Sequence, residues 1–423
     1  MAPFAIAALL LILTRWAAEL WLSRLNQQHV RAHAAAIPEA VRGFVDEATY
    51  RKSFDYTLAK SRFSNINDAF DTAVLLAVLF SGVLPWAFAE FMARFGQSIW
   101  AMAGFLFATG LALSVLTLPF EWCAQFKLEE RFGFNTTTVK TWIADRVKGF
   151  FLAALLGFPL LALVLKVIEW TGANWWLWAW AMVVVFQLLL MLIAPAVIMP
   201  LFNKFTPLAD GSLRERLFTL ARRTGFPTRS IDVMDGSKRS RHSNAFFTGF
   251  GRFRKIVLFD TLVAQLTEPE LEAVLAHEIG HYKKRHIVKR IGVSVSGLFI
   301  AFAAIAWLSR QAWFYRAFGF EPQNNYAPAA IVPAMLLFAL LSGTVSFWLG
   351  PIINVWSRRF EYQADAFARE VMGEVQSLIG ALRKLNEKNL SNLMPHPLYS
   401  GFYYSHPTLL ERERALRGAP DGK

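Results

Sequence analysis

One cysteine, Cys123, stands in 423 residues. No intrachain disulfide can form, and no cysteine-cluster metal site can be built. Acidic residues are scarce beside basic ones: 31 Asp and Glu against 44 Lys and Arg, a net charge of +13. Such an excess suits an anionic partner, either nucleic acid or an anionic membrane surface. No cleavable leader is expected either. The apolar run from Pro3 to Leu22 has no basic residue before it and no small-residue cleavage site after it, so it reads as a retained span. Apolar residues, in contrast, are abundant. They make up 55% of the chain, with 38 Phe and 15 Trp. A soluble domain holds about 45–50%, and here they cluster in long runs.

A membrane-crossing helix needs about 20 apolar residues. Seven stretches qualify: Pro3–Leu22, Ala73–Met92, Ser98–Trp122, Gly149–Trp170, Trp175–Phe202, Ile291–Leu308 and Ala327–Trp356. The fifth is long enough to tilt, or to bend at Pro195. Trp and Tyr flank many of the ends, as interfacial belts require. Seven buried helices of this length in a soluble protein would leave too little polar surface. Arg15 and Glu19 sit one turn apart within the first run, and Lys166 lies in the fourth. Charges there need a partner or a watery interior.

Between these runs, Lys and Arg alternate in abundance. Segments on one side hold 39 and those on the other hold 3. The positive side faces the cytoplasm. The N-terminus is therefore expected outside. The long segment 203–290 and the tail 357–423 are expected inside, where they can meet. The basic residues follow topology and form no nucleic-acid reading motif. The expected division is 1–202 for spans one to five, 203–290 for a cytoplasmic segment, 291–356 for spans six and seven, and 357–423 for a C-terminal segment.

Within 203–290, the stretch LTEPELEAVLAHEIGHYKK spaces Leu271, Val274, Leu275 and Ile279 as a helix does. Thr267 and Glu270 fit a capping box, and Pro269 fits the first turn. On that helix His277 and His281 share one face and can hold one zinc ion, with Glu278 placed to take the proton of an attacking water. A catalytic zinc needs a third protein ligand and an open position. The segment WSRRFEYQADAFARE offers Glu361, with Asp365 one turn on. Asp365 can accept a hydrogen bond from a ligand imidazole and fix its tautomer. His286 lies nine residues past His277, half a turn off the face of a continuous helix. It reads as an interfacial basic residue beside Lys283, Lys284 and Arg285. The stretch SNAFFTGFGRFRKIVLF alternates as strand and turn, and can offer an open edge to an extended peptide.

HEIGH, followed after two spans by EYQAD, resembles the integral-membrane CAAX prenyl endopeptidases of the M48 metalloprotease family. LFNKFTPL, VMDGSKRSRHSNAFFTGFG and YSHPTLLERERAL resemble further segments of that family, in the same order. The resemblance covers nearly the whole chain. It implies an all-α polytopic membrane protein: seven transmembrane helices around an aqueous chamber, with a cytoplasmic zinc metalloprotease domain containing a small β element. It implies one Zn2+ held by His277, His281 and Glu361, with Glu278 as catalytic base. It matches Asn244 to an asparagine that holds substrate backbone, and His406 to a histidine near the metal that supports the oxyanion. Arg412 matches the following arginine, counted with the substrate-binding residues, and Asp365 joins the catalytic set. Substrates would be proteins ending in a prenylated cysteine plus three residues, which the enzyme removes; some members also cut elsewhere in a precursor. Membrane lipids are the other expected partners. The short link between spans six and seven and the tail ALRGAPDGK, without a dilysine-type signal, suggest a bacterial inner-membrane member. Two other functions compete: a broad-specificity quality-control protease, and a transporter or scaffold that kept a metal site. Glu278 beside both histidines argues against the last, since a structural zinc needs no base.

Overall fold

The computed structural model describes residues 2–34, 37–248, 255–322 and 326–418. Six helical stretches among them are long and apolar enough to cross a membrane: Pro3–Ala32, Glu47–Phe80, Ile99–Phe132, Val139–Phe202, His286–Leu308 and Pro328–Met372. Their outer faces carry large bare apolar side chains. Leu155, Ile352, Trp170 and Ile300 are each about two-thirds exposed or more. Contiguous surface of that kind is untenable in water and ordinary against lipid. The chain is an integral, multi-pass membrane protein.

The first helix, α1, spans Pro3–Ala32 and packs on α2, Glu47–Phe80. Asp46 caps α2 by accepting from Thr49 N at 2.7 Å. The helix ends at Gly82, whose φ of 81° is open to glycine but strained for other residues, and α3 restarts over Val83–Phe95. The expected span Ala73–Met92 is therefore cut in two, and the crossing stretch belongs to α2. The apolar pattern runs through the break because both flanks are apolar, so periodicity alone does not expose it. Next come α4, Ile99–Cys123, then α5, Phe158–Thr171, and α6, Trp175–Ile193. The last two pack on each other across a turn at Gly172, where φ is 52°.

A second body of structure follows. Strands β1 (Phe205–Pro207), β2 (Ser230–Met234), β3 (Ala245–Thr248) and β4 (Lys255–Phe259) form one sheet in the order β1-β2-β4-β3. β2 and β4 run parallel, and β3 pairs antiparallel with β4, Ala245 opposite Leu258. The expected strand and turn are thus β3 and β4, with the turn at 249–254 outside the described residues. β3 lies at the edge of the sheet.

Helix α7, Ser212–Arg223, and helix α8, Glu268–Lys283, bury Leu217, Leu220, Leu271, Leu275 and Ile279 against the inner face of the sheet and its neighbours. Full burial of each such side chain stabilises by about 1.5–3 kcal/mol. Helix α9, His286–Leu308, re-enters the apolar layer. Helix α10, Pro328–Met372, is 45 residues long, about 68 Å at 1.5 Å per residue. It carries an apolar half and the EYQAD segment on one continuous rod, so the boundary drawn at 356/357 falls inside a helix. Helix α11, Gln376–Lys388, and helix α12, Leu409–Leu416, close the core beside α8 and α10.

Candidate metal centre

The capping box is present: Thr267 N donates to Glu270 Oε2 at 2.8 Å, and the Thr267 side chain meets the N3 backbone. Lys384 of α11 holds the same carboxylate at 2.7 Å. That start fixes the rotation of α8, and α8 makes its most extensive contact with α10. Gly280 allows the approach. A Cβ at this position would lie 2.9 Å from Ala364 Cα and 3.0 Å from Ala364 O. One turn of α8 thus presses on the turn of α10 that bears Glu361 and Asp365.

The result is a convergence. Donor atoms of His277, His281 and Glu361 lie within 4.8 Å of one another. The two Nε2 atoms are 3.1 Å apart, and Glu361 reaches them at 3.5 and 3.4 Å. His277 Nδ1 donates to Asp365 Oδ1 at 2.8 Å. A carboxylate only accepts, so that proton must sit on Nδ1. In the neutral ring, the form that binds a metal, Nε2 of His277 is then a lone pair aimed at the cluster. Two imidazole nitrogens and one carboxylate with a side open to a cavity are the donor set of a catalytic zinc site. The three residues form a single candidate site for one Zn2+ among the described residues.

Charge is arranged around it. Burial pushes the Glu278 carboxyl up to about 7; Glu361 adds to the shift, while His277 and Arg412 oppose it. Burial alone would raise Glu361 too, but its contacts with His277, His406 and His281 hold it down to about 2. Asp365 resists the same burial through Arg412 and His277 and stays well below the usual carboxylate range. Burial, reinforced by neighbouring His277, takes His281 down to about 3, so its imidazole is neutral.

Arg412 grips Asp365 with two nitrogens, Nε to Oδ2 at 2.8 Å and Nη2 to Oδ1 at 2.5 Å. Its Nη2 also lies 3.3 Å from His277 Nδ1. The resemblance grouped Arg412 with substrate; in the structure two of its donors are committed to Asp365. Asp365 is 2% exposed and Arg412 11%. Replacing Arg412 with Leu removes the charged partner of a buried carboxylate and leaves it only His277, and breaking a buried ion pair costs about 3–5 kcal/mol. A fall in melting temperature together with weakened zinc retention is the expected result, read by thermal denaturation and metal analysis.

His406, from YSHPTLLERERAL, places Nε2 3.5 Å from Glu361 Oε1 and Nδ1 2.9 Å from Ser405 Oγ. Asn244 stands exposed at the head of β3, its Oδ1 accepting from Ala245 N at 2.8 Å. Asn244, His277, Glu278, His281, Glu361, His406 and Arg412 all line one cavity of about 180 Å³. The structure thus gathers every candidate except Asp365 around this space, and Asp365 lies directly behind His277. The cavity shares His406 and Arg412 with a second of about 470 Å³. That one shares Ser391, Asn392 and Tyr404 with a third of about 860 Å³, walled by α2 and α4 residues.

His286 departs from expectation. It is 1% exposed, stacks on Phe360 at 4.0 Å, and puts Nδ1 2.9 Å from His281 Nδ1. A position half a turn off the face would follow only if one continuous helix ran from His277 to His286. Arg285 breaks it with a φ of 55°, and α9 starts anew at His286. Gln363, on the other side of His286, was not anticipated either. No local signal announces the break, since Lys283, Lys284 and Arg285 are exposed and of good helix-forming types.

Comparisons with known proteins agree with this geometry. Residues 26–204 match the CAAX prenyl protease N-terminal region, five membrane helices, and residues 207–419 match peptidase family M48. CAAX prenyl protease 1 of Saccharomyces cerevisiae is 38% identical, over 92% of this chain and 90% of its own. The human CAAX prenyl protease 1 homolog is 33% identical, over 96% and 94%. The crystal structure of S. mikatae Ste24p superposes with a TM-score of 0.91 at 36% identity, covering 98% of this chain and 99% of that one. These relatives are eukaryotic, so the expected bacterial inner-membrane assignment has no support; it leaned on a short link and a missing tail signal, and neither feature reports the host. The matched architecture and the His277, His281 and Glu361 cluster together make this chain a zinc metalloendopeptidase that belongs to the CAAX prenyl protease family of M48 peptidases.

Proposed function

We propose that this enzyme removes the C-terminal tripeptide of proteins or peptides bearing a prenylated cysteine. The observation that carries the reading is one cavity lined by the zinc ligands, by Glu278 and by the head of an edge strand, Asn244 included. An extended peptide can add to such an edge through backbone hydrogen bonds. Asn244 would hold its backbone beside the site. A zinc ion there would polarise the scissile carbonyl and the attacking water. His277, His281 and Glu361 would hold it, with Asp365 fixing the His277 ring and Arg412 fixing Asp365. Glu278 takes a proton from the attacking water and returns it to the leaving amine, a role suited to a carboxyl poised near neutrality. His406 donates toward the oxygen on which negative charge develops.

The architecture supports a prenylated substrate. Val139–Phe202 holds 64 residues, about 96 Å of helix at 1.5 Å per residue, against a hydrocarbon core of about 30 Å. Its halves fold back at Gly172, which makes two crossings and seven in all. The row of cavities from His406 to α2 and α4 is the start of an aqueous chamber within them. The excess of basic residues on one side supports an N-terminus outside and a zinc centre on the cytoplasmic side. The prenyl chain would rest among apolar walls while the peptide reaches β3.

The test uses the purified full chain, a farnesylated CAAX peptide and its unfarnesylated twin. Release of an intact tripeptide from the first, and much less from the second, is the expected result. Chelation should abolish release and added zinc should restore it. Equal cleavage of both peptides, or cuts scattered through unrelated sequences, would instead identify a broad-specificity protease.

A further inference from the structure

The two zinc-site imidazoles are oriented by different means. His277 leans on a carboxylate. His281 leans on another imidazole, His286, whose far nitrogen Nε2 meets Gln363 Oε1 at 2.9 Å. Three groups thus stand in a row from Gln363 through His286 to His281, with each neighbouring pair 2.9 Å apart.

Protons can be arranged along this row in two ways. In the first, the Gln363 carbonyl accepts from His286 Nε2–H. His286 Nδ1 is then a lone pair and accepts from His281 Nδ1–H, which leaves His281 Nε2 bare. In the second, the amide is flipped and its NH2 group donates to His286 Nε2. His286 Nδ1–H then donates to His281 Nδ1, and the His281 proton moves to Nε2. That arrangement blocks the nitrogen which faces His277 Nε2 at 3.1 Å and Glu361 Oε1 at 3.4 Å. Only the first leaves His281 ready to bind a cation.

The surroundings hold the row in place. His286 lies flat on Phe360, 4.0 Å away with 10° between the planes, and Phe360 directly precedes Glu361 on α10. Arg285 takes a left-handed φ of 55°, a conformation uncommon for a side chain of its size, and this turn is what brings His286 back beneath His281. The backbone of the α8–α9 junction and the side chains of α10 converge on one nitrogen.

We infer that His286 and Gln363 are positioning residues that set the tautomer and ring orientation of His281 for zinc. This rests on the reading of His277, His281 and Glu361 as the ligands. Partners that orient a ligand imidazole typically govern about 10–100-fold in metal affinity. Neither residue takes part in the chemical step, so the effect belongs to zinc affinity first and to turnover only through it.

The experiment measures zinc affinity of the full chain in detergent by competition with a fluorescent chelator. His286→Leu should weaken zinc by about 10–100-fold. His286→Asn should recover most of it, because the amide oxygen falls close to the place of Nδ1 and accepts the same proton. At position 363, Glu keeps an acceptor and should bind zinc like the parent, whereas Lys offers only a donor and should weaken it. A role in packing alone would not separate Glu from Lys. His281→Ala serves as the reference. If it binds zinc as the parent does, the ligand reading fails. If it loses zinc while His286→Leu and Gln363→Lys match the parent, the ligand reading stands and this inference falls. Should His286→Leu not fold, the pair at 363 decides.

Discussion

Glu278→Gln is expected to keep its zinc and lose its turnover. The amide has nearly the shape of the carboxyl and leaves His277 and His281 untouched, but it cannot take a proton. General-base contributions run to about 10²–10⁴-fold, and kcat should fall by at least that much. KM should change little, because Glu278 acts on the water and not on the peptide. The local electrostatics favour this role. Burial raises the carboxyl to about 7, and Glu361 adds to the rise, so the group can both accept and return a proton near neutral pH. The measurement is steady-state cleavage of a farnesylated peptide alongside metal content per chain. A variant that holds zinc and cleaves at the parent rate would remove Glu278 from the mechanism.

How much of this centre could be read along the chain depends on sequence separation. His277, Glu278 and His281 are bound to each other by helical geometry, and the capping box announces the helix that carries them. Glu361 and Asp365 share a face by the same local rule. What the residues themselves could not say is that the two faces meet; that followed from resemblance and from counting spans. The pairing of Arg412 with Asp365 crosses 47 positions, and that of His286 with Gln363 crosses 77. Such contacts are products of packing, and no periodicity encodes them. The position of His286 is hidden in the sequence for a different reason. The rule of 100° per residue holds only while the helix lasts, and one left-handed residue at Arg285 voids it. The break at Gly82 has the same character. Apolar periodicity marks what lies in lipid, whereas a single backbone dihedral decides where a rod ends. The small sheet was legible at β3 and β4, two short apolar runs separated by glycine-bearing turn residues. β1 was not, since three residues carry too little pattern.

The second large effect is expected from a single methyl group. Gly280→Ala should disable the enzyme as surely as loss of a ligand, although residue 280 touches neither metal nor substrate. The added Cβ would stand 2.9 Å from Ala364 Cα and 3.0 Å from its carbonyl oxygen. Those are backbone atoms and cannot swing aside as a side-chain tip can. The two helices must separate instead, and Glu361 moves away from His277 and His281. Overpacking of this kind costs about 1–3 kcal/mol. The geometric penalty is the larger one, because a displacement of about 1 Å at a reacting centre can cost about 10²-fold in rate. Zinc affinity should drop with activity, and metal analysis of the purified variant would show it. Ala364→Gly should not rescue the variant, because the atoms in the way remain when the methyl at 364 is gone. Gly292→Ala supplies the contrast: a Cβ there meets nothing within 4 Å, and this change should leave zinc and rate intact. If Gly280→Ala kept parent affinity and parent rate, the close approach of α8 to α10 would not be what brings the ligands together.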